Sequence, residues 1–258
     1  MEPAARWTVR SVHRYPVKSM QGETPGSITL ETGNVAGDRQ WAVADRATGL
    51  LLSAKRHGAL LEASARTLDG GEVVVRLPSG SDVRAGDPEA DAALSRWLER
   101  EVELRRPGGP TAGYESLSDA MDESSEVVVF RGPDHHFADF AEVHLLTEAS
   151  LRAARGLYGG GDWDVRRFRP TVLLAGEGDD FAEDSWVGSV VELGEAAVQV
   201  FMPTVRCSLP PRAQPGLPRD MAISRTLRDH HNFSLGVYGV IVHAGTVHAG
   251  ESVTVIPG

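Results

Sequence analysis

The chain lacks the residues and segments on which several protein classes depend. Its 258 residues include one cysteine, Cys207, which excludes an intrachain disulfide framework, a Cys-x-x-Cys zinc site and an iron–sulfur cluster held by cysteines alone. No apolar run approaches the roughly 20 residues of a membrane span, and the N-terminus has no basic-then-apolar signal pattern. We therefore expect a cytoplasmic protein that does not interact with membranes.

Basic residues are in the minority. The chain has 26 Lys and Arg against 36 Asp and Glu, a formal net charge of −10. Non-specific binding of nucleic acid needs a positive surface, so no nucleic-acid partner is expected. The sequence also has no Gly-x-Ser-x-Gly elbow and no Gly-rich phosphate-binding motif, so serine hydrolysis and nucleotide binding through such motifs have no support.

Short β-type segments dominate the chain. Alternating or β-branched runs bounded by turn residues predict strands; they cover residues 7–15, 27–30, 40–44, 50–53, 72–77, 82–85, 127–130, 143–146, 171–175, 190–193, 196–202, 236–242 and 252–256. Helices are predicted after Asp87, after Thr147 as the cap residue, and near residues 224–229. The pattern predicts a mainly β protein, a β-barrel with a few helices.

One segment differs from the rest in composition. Residues 107–125 are rich in Gly, Pro, Ser and acidic residues, which is typical of a linker or mobile loop. We therefore predict an N-terminal domain over residues 1–107, a linker over 108–125 and a second domain over 126–258.

Cationic residues recur where predicted strands end. These positions are Lys18 beside Ser19, Arg39, the cluster Arg166, Arg167 and Arg169, and Arg206. Arginine offers paired donors suited to phosphate or carboxylate, and Thr147 at a helix start adds free backbone N–H groups. The set predicts one anionic ligand. The alternative is a series of surface salt bridges, worth about 0–1 kcal/mol each, and for Arg167 alone we favour it.

Cys207 is the residue with the strongest chemical signal. A predicted strand ends at Pro203 and leads into a loop with Arg206 and Cys207. A neighbouring cation favours the thiolate, the form that acts as nucleophile or metal ligand; the alternative is a small buried hydrophobe. The pairs His135–His136 and His230–His231 lie in polar segments and are interpreted as surface residues. The stretch around Glu183 and Asp184 is interpreted as an acidic loop.

Several motifs, taken in order, resemble a known family. The segments 15–22 (YPVKSMQG) and 37–41 (GDRQW) resemble the N-terminal β-barrel that precedes a MOSC domain. The segments 143–147 (VHLLT), 167–170 (RFRP), 183–186 (EDSW), 206–207 (RC) and 245–247 (GTV) resemble the MOSC domain itself, the C-terminal domain of molybdenum cofactor sulfurase. The best-known relatives are the mitochondrial amidoxime-reducing component and its bacterial counterparts. Together the motifs span nearly the whole chain.

The resemblance implies an N-terminal β-barrel domain plus a MOSC β-barrel domain that holds molybdenum cofactor (Mo-molybdopterin). It makes Cys207 the metal ligand and catalytic residue, which suits the affinity of soft thiolate for such a metal. By the resemblance, the positions that contact the cofactor in this family correspond to Lys18, Ser19, Arg39, Thr147, Arg169, Thr171 and Arg206. Most of these residues also belong to the set that predicts an anionic ligand. Thr171 stands where the family often has Asn, and the residues after Cys207 are not the usual threonine-rich, acidic ones.

The activity implied is an oxidoreductase that reduces N-hydroxylated or N-oxide compounds. The chain has no flavin or haem motif and lacks a Cys-rich appendix, so the small-molecule substrate would be reduced with electrons from an external donor protein. Two alternatives stay open. The chain could carry molybdenum cofactor, or sulfur, without turnover of its own, or it could transfer sulfur through a persulfide on Cys207.

Overall fold

The computed structural model describes residues 7–108, 113–122, 124–131 and 136–258. The strands are β1 (Trp7–Val12), β2 (Ser27–Glu31), β3 (Asn34–Val35), β4 (Ala42–Asp45), β5 (Ser64–Thr67), β6 (Val73–Arg76), β7 (Asp82–Arg84), β8 (Val102–Arg105), β9 (Gly113–Leu117), β10 (Val127–Arg131), β11 (Val143–Thr147), β12 (Val172–Gly176), β13 (Val190–Leu193), β14 (Ala196–Val205), β15 (Ser234–His243), β16 (Gly245–His248) and β17 (Ser252–Ile256). The α-helices are α1 (Pro88–Leu98), α2 (Glu148–Leu157) and α3 (Met221–His230). Over the described ranges, no helix is both long and apolar enough to cross a bilayer.

A closed barrel forms the larger part of the fold and confirms the prediction of a mainly β protein. Within the described residues its seven strands follow the order β1-β12-β11-β15-β14-β13-β17. Alternate side chains point inward, and Val9, Leu145, Val198 and Val237 are among those that fill the interior. β11 and β12 are parallel and are joined through α2, because a parallel pair needs a long crossover connection.

The first strand of the chain belongs to this barrel, and the second pairs with a strand near its end. β1 lies between β12 and β17 and pairs with both in antiparallel fashion. β2 pairs with β16. Backbone hydrogen bonds of both β1 and β2 therefore join the N-terminal part to strands that follow residue 107. Without β1, the barrel formed by those later strands would not be closed.

The remainder of the N-terminal part packs around a second apolar cluster. The sheets β4-β8 and β5-β6-β7 enclose Val43, Leu60, Val75 and Leu94, with Trp97 half-buried against them. Helix α1 begins after Asp87 with Pro88 in its first turn, as predicted. Its apolar side supplies Leu94, with Trp97 and Leu98 at the i+3 and i+4 positions of the same face, and this face packs on the core.

The segment predicted as a linker contains a strand. Within it, β9 pairs with β10 from Gly113 opposite Arg131 to Leu117 opposite Val127. Tyr114 of β9 is buried and bridges to Leu51 of the N-terminal part. The Ser- and acid-rich residues that suggested a linker include the connection between these two strands, where turn residues are expected. Residues 109–112 and 123 of the predicted linker lie outside the described residues. The domain boundaries remain a prediction.

Strand β14 continues through Pro203 instead of ending there. It runs to Val205, with register shifts between Val200 and Met202 and between Pro203 and Val205. Proline lacks an N–H donor and is tolerated in a strand at such bulges. The prediction that the strand ends at Pro203 is thus wrong by two residues. As a result Arg206 and Cys207 leave the strand directly, without an intervening loop.

Arg167 is a buried structural residue, so the prediction of a surface salt bridge is wrong. Its side chain is fully buried and its guanidinium donates to the carbonyl oxygens of Asp162 at 2.8 Å, Pro210 at 3.0 Å, Arg212 at 3.1 Å and Pro218 at 2.8 Å. Several of these carbonyls belong to the Pro-rich segment after Cys207. Arg167 therefore fixes the path of the chain beyond the cysteine.

Replacing Arg167 should destabilise the protein far more than replacing its neighbour. Arg167→Met leaves buried carbonyls without donors, so we expect a loss of about 3 kcal/mol or more in the free energy of unfolding, measured by urea denaturation. Arg166→Met is the matched control. Arg166 pairs with Asp164 at the surface, so its loss should cost less than about 1 kcal/mol. Equal effects of the two changes would contradict the structural role of Arg167.

Candidate functional site

All but one of the predicted site residues meet at one cavity between the barrel and the N-terminal part. This cavity, here called the cationic cavity, has a volume of about 100 Å³. The predicted residues that line it are Lys18, Ser19, Arg39, Arg169, Thr171, Arg206 and Cys207. Lys55, Asp139, Glu142, His144 and Tyr238 also line it. Segments far apart in sequence, from the ends of several strands, are thus brought together as predicted from the sequence.

The backbone is strained at the residues that form this cavity. Among the described non-glycine residues, seven have positive φ, and Ser19 (69°), Arg39 (47°) and Arg169 (54°) are three of them. A left-handed non-glycine residue costs on the order of 1–3 kcal/mol and persists only where its surroundings hold it. Here Ser19 Oγ accepts from Ala54 N at 2.9 Å, and Arg39 N donates to the Tyr15 carbonyl at 2.8 Å. Such strain is typical of functional sites.

Two arginines contact one tyrosine ring. The guanidinium carbons of Arg169 and Arg39 lie 4.0 and 5.4 Å from the centroid of the Tyr15 ring. Arg169 also donates to the Met20 carbonyl at 2.7 Å. Burial lowers the pKa of Arg169 to about 10, so it is still charged at neutral pH. Tyr15 therefore separates and orients two cations that would otherwise repel each other.

Asp139 lies between two lysines. Its carboxylate pairs with Lys18 and, at 2.7 Å, with Lys55, and both ammonium groups lie over the Tyr114 ring, 4.2 and 4.9 Å from its centroid. Burial by itself would raise the pKa of Asp139, but the two lysines hold it well below its usual range. Burial lowers the pKa of Lys18 despite Asp139. In Lys55, Asp139 and Cys207 outweigh burial and raise the pKa.

Lys55 and Asp139 are the important residues that the sequence argument missed. Lys55 follows the predicted strand 50–53, so the same criterion that selected Lys18 and Arg39 could have found it. Asp139 has no comparable signal, because an acidic residue in an acidic chain is unremarkable by itself. Since Cys207 contributes to the electrostatic interactions of Lys55, Lys55 supplies a positive charge beside the sulfur.

Arg206 is directed mainly at backbone oxygens. It is buried, and its Nη2 donates to the Phe168 carbonyl at 2.9 Å. Its Nε is buried and has no hydrogen-bond partner among the described residues. Cys207 is half-buried, with one side against the apolar cluster of the N-terminal part and another at the cationic cavity. The sulfur is therefore neither sealed in the core nor fully exposed.

His144 forms a neutral part of the cavity wall. Its Nε2 lies 3.2 Å from the Leu235 carbonyl. Burial, followed by the charge of Arg206, lowers the pKa of His144 to about 3, so the ring is uncharged at neutral pH. Thr171 adjoins it, since Thr171 Oγ1 accepts from His144 N at 3.1 Å. The positive charge of the cavity comes entirely from its lysines and arginines.

Two family models match the chain in sequence. The MOSC domain matches residues 132–254, and the MOSC N-terminal beta barrel domain matches residues 6–108. The chain belongs to the MOSC family. This confirms the family that the motifs indicated, and the closed barrel agrees with it. MOSC proteins are associated with binding of molybdenum cofactor. No curated protein matches this MOSC chain by sequence.

One solved structure supports the fold of the MOSC chain over nearly its whole length. The YuaD protein from Bacillus subtilis is similar with a TM-score of 0.52 at 11% identity, over 98% of this chain and 97% of that one. At this identity the likeness shows the fold alone. YiiM from Geobacillus stearothermophilus is 16% identical over 57% of this chain and 73% of that chain, with a TM-score of 0.33.

Thr147 is the predicted site residue that does not line the cavity of this MOSC protein. It caps α2 as predicted, with Oγ1 accepting from Ser150 N at 3.0 Å. However, Thr147 is fully buried, and its hydroxyl donates to Glu183 at 2.7 Å. The acceptor at this helix start is therefore the protein's own carboxyl group, that of Glu183, and burial raises its pKa. The contact of Thr147 with a cofactor stays a prediction. The interpretation of the stretch around Glu183 as an acidic loop is wrong, because Glu183 is fully buried in a short 3-10 helix (Ala182–Trp186).

The histidines predicted to lie on the surface are partly buried. His136 is buried, and its Nδ1 accepts from Ala138 N at 3.1 Å; His135 lies outside the described residues. His230 is exposed as predicted. His231 stacks on Phe181, with ring centroids 3.7 Å apart, and its Nε2 lies 2.8 Å from Asp184. Polar neighbours in sequence did not reveal these tertiary contacts.

The stabilising effect of Asp139 should depend on pH. Since its pKa is lower in the folded state, Asp139→Asn should cost about 1–3 kcal/mol at pH 7, a range reduced because the Asp139 side chain is 36% exposed. This contribution is complete above the unfolded-state value of about 4 and is lost as the pH falls towards the lower folded-state pKa. Urea unfolding at pH 7 and pH 3 should therefore show a smaller difference at pH 3.

The matched control is Asp69→Asn, which changes an exposed turn residue of the same type. It should alter the free energy of unfolding by less than about 0.5 kcal/mol at either pH. A cost for Asp139→Asn that is the same at both pH values would show that the pairs with Lys18 and Lys55 do not stabilise the fold.

Proposed function

We propose that this protein binds molybdenum cofactor in the cationic cavity and reduces N-hydroxylated or N-oxide compounds. The observation that carries the proposal is the convergence of one cysteine with five cations. In a chain of net charge −10, the described residues that line this cavity contribute Lys18, Lys55, Arg39, Arg169 and Arg206. Only the carboxylates of Asp139 and Glu142 oppose them among these residues. Concentrated positive charge in an acidic protein favours an anionic ligand.

The donor set fits such a cofactor in its chemistry. A thiol is the protein ligand that a soft metal prefers, and Cys207 would hold the metal. Lys18, Arg39 and Arg169 would bind the anionic tail, and the hydroxyls of Ser19 and Thr171 would add hydrogen bonds. The unpartnered Nε of Arg206 offers a further donor, since a buried N–H without an acceptor is costly.

The space of the cavity sets a condition on binding. A volume of about 100 Å³ lies below the range of about 300–1,000 Å³ that is usual for sites of small molecules. The wall formed by Asp139 and Phe140 is the exposed side of the cavity, with side-chain exposure of 36% for Asp139 and residue exposure of 63% for Phe140. A bound cofactor would therefore extend beyond the cavity on this exposed side.

When bound, the cofactor would supply two-electron redox chemistry, with electrons from an external donor protein. The residues of the chain provide position and charge. Lys55 places a cation beside the sulfur, and His144 remains neutral, so it adds no charge of its own. Tyr238 keeps its proton at neutral pH because burial raises its pKa, which leaves a neutral hydroxyl group in the wall of the cavity.

A second candidate is a carrier that binds the cofactor without turnover. The segment after Cys207 favours it, because Leu209 packs into the apolar cluster of the N-terminal part and also lines the cationic cavity. The wall at Leu209 is therefore apolar, whereas the polar group of a substrate would need hydrogen-bond donors there. The two candidates share the same binding residues and differ only in whether a substrate is reduced.

Removal of the thiol should remove the metal. From a host that makes molybdenum cofactor, we expect the wild type to retain about one molybdenum and one pterin per chain. Cys207→Ser should lose at least tenfold in molybdenum, because a hydroxyl is a poor ligand for a soft metal, while its circular dichroism stays unchanged. Elemental analysis and pterin fluorescence provide the measurements.

An anaerobic assay with an artificial electron donor then separates the two candidates. Reduction of an amidoxime or N-oxide by the wild type, with loss in Cys207→Ser, supports the oxidoreductase. Bound cofactor with no reduction of either substrate supports the carrier. A pure wild-type preparation without molybdenum or pterin would overturn both.

A further inference from the structure

Another cavity adjoins the cationic one on the side of the β9–β10 hairpin. It has a volume of about 410 Å³, within the range of about 300–1,000 Å³ that is usual for sites of small molecules. We call it the aromatic cavity, after Tyr114, Phe130, Phe140 and Tyr238, which line it together with Met202. Neither the sequence motifs nor the proposed cofactor accounts for Tyr114, Phe130 and Met202, which line this cavity and not the cationic one.

The aromatic rings are arranged around the cavity in contact with one another. Phe130 stacks on Tyr114, with centroids 5.9 Å apart and an interplanar angle of 27°. Phe140 contacts Tyr238 at 5.7 Å. Phe130 and Phe140 are nevertheless 48% and 63% exposed. Large apolar side chains that stay accessible around a concave surface are typical of a binding site.

The two cavities share one wall. Among the described residues, those that line both are Lys55, Asp139, Phe140, Arg206, Cys207 and Tyr238. The charged residues of the aromatic cavity, Lys55, Asp139 and Arg206, are therefore all at the end where Cys207 lies. Towards the hairpin the lining is uncharged, with Phe130 and Leu117 beside Ser116 and Ser118. A molecule bound here would have one polar end and one uncharged, largely apolar end.

We propose that the aromatic cavity binds the flat, apolar body of a small molecule whose polar, reacting end lies at Cys207. At that end Lys55 and Arg206 are positive and Asp139 is negative, and the net positive charge favours an oxygen with negative charge, such as that of an N-oxide. Phe130 and Phe140 are then the residues that determine specificity, by contact with the body. The identity of the head group rests on the proposed function, whereas the selection of an aromatic body does not.

Alkylation of Cys207 tests this selection without any cofactor. It is the single thiol of the chain, so intact mass reports on it alone. In cofactor-free, full-length protein, the thiolate displaces iodide from iodoacetamide or from its phenyl derivative iodoacetanilide: a C–S bond forms, the C–I bond breaks and iodide leaves. For each thiol, the rate with iodoacetanilide is divided by the rate with iodoacetamide. We expect this ratio to be about tenfold higher for Cys207 than for free N-acetylcysteine. The rate of Cys207 with iodoacetanilide should also saturate at high reagent concentration.

The aromatic residues should account for this preference. Phe130→Ala and Phe140→Ala should each lower the ratio at least threefold. Val187→Ala removes an apolar side chain of similar exposure, 43%, that does not line the cavity, and should leave the ratio unchanged. A wild-type ratio equal to that of N-acetylcysteine would overturn the proposal, as would a high ratio that neither Phe variant lowers.

A binding measurement covers the case of an unreactive thiol. Ligand-observed NMR should show saturation transfer from the wild type to acetanilide but not to acetamide, and Phe130→Ala should weaken it. No transfer to acetanilide would overturn the proposal. Failure of the proposed function is seen separately, as wild-type protein without molybdenum or pterin, and it leaves both readouts of the aromatic cavity intact.

Discussion

The structure depends on holding five positively charged side chains close together around the cationic cavity. Five cations surround a cavity of about 100 Å³, and their mutual repulsion opposes folding. The protein offsets it with oriented acceptors: Asp139 bridges two lysines, the Tyr15 ring lies against two arginines, and backbone carbonyls accept from Arg169 and Arg206. A site of this kind is held in place by the rest of the fold, which also maintains its left-handed backbone residues.

Both halves of the chain contribute to the site. Lys18, Arg39 and Lys55 precede residue 107, whereas Arg169 and Arg206 follow it. The two parts cannot separate without loss of the cavity, because β1 is a strand of the barrel and β2 pairs with β16. The aromatic cavity is built across the same division, from Tyr114 and Phe130 of the hairpin and Tyr238 of β15. The function proposed for these cavities therefore depends on closure of the barrel.

Sequence alone predicted the class of fold and most of the cationic cavity, because strand ends in a barrel converge on shared loops. It placed Lys18, Arg39, Arg169 and Arg206 correctly by this principle. It failed where the outcome depended on tertiary partners. Arg167 looks like its neighbours in sequence but donates to four buried carbonyls, and Thr147 meets Glu183 instead of the cavity. The ladder through Pro203 depends on bulges, which no local pattern in the sequence reveals.

The position of β1 has a consequence for biosynthesis. Since β1 is hydrogen-bonded to β17 as well as β12, residues 7–12 must wait for residues 252–256 before both edges of β1 are paired. Contacts between residues so distant in sequence form slowly. On the ribosome, the barrel cannot close until residues 252–256 have emerged. Any cofactor that requires the closed barrel can enter only after that point of synthesis.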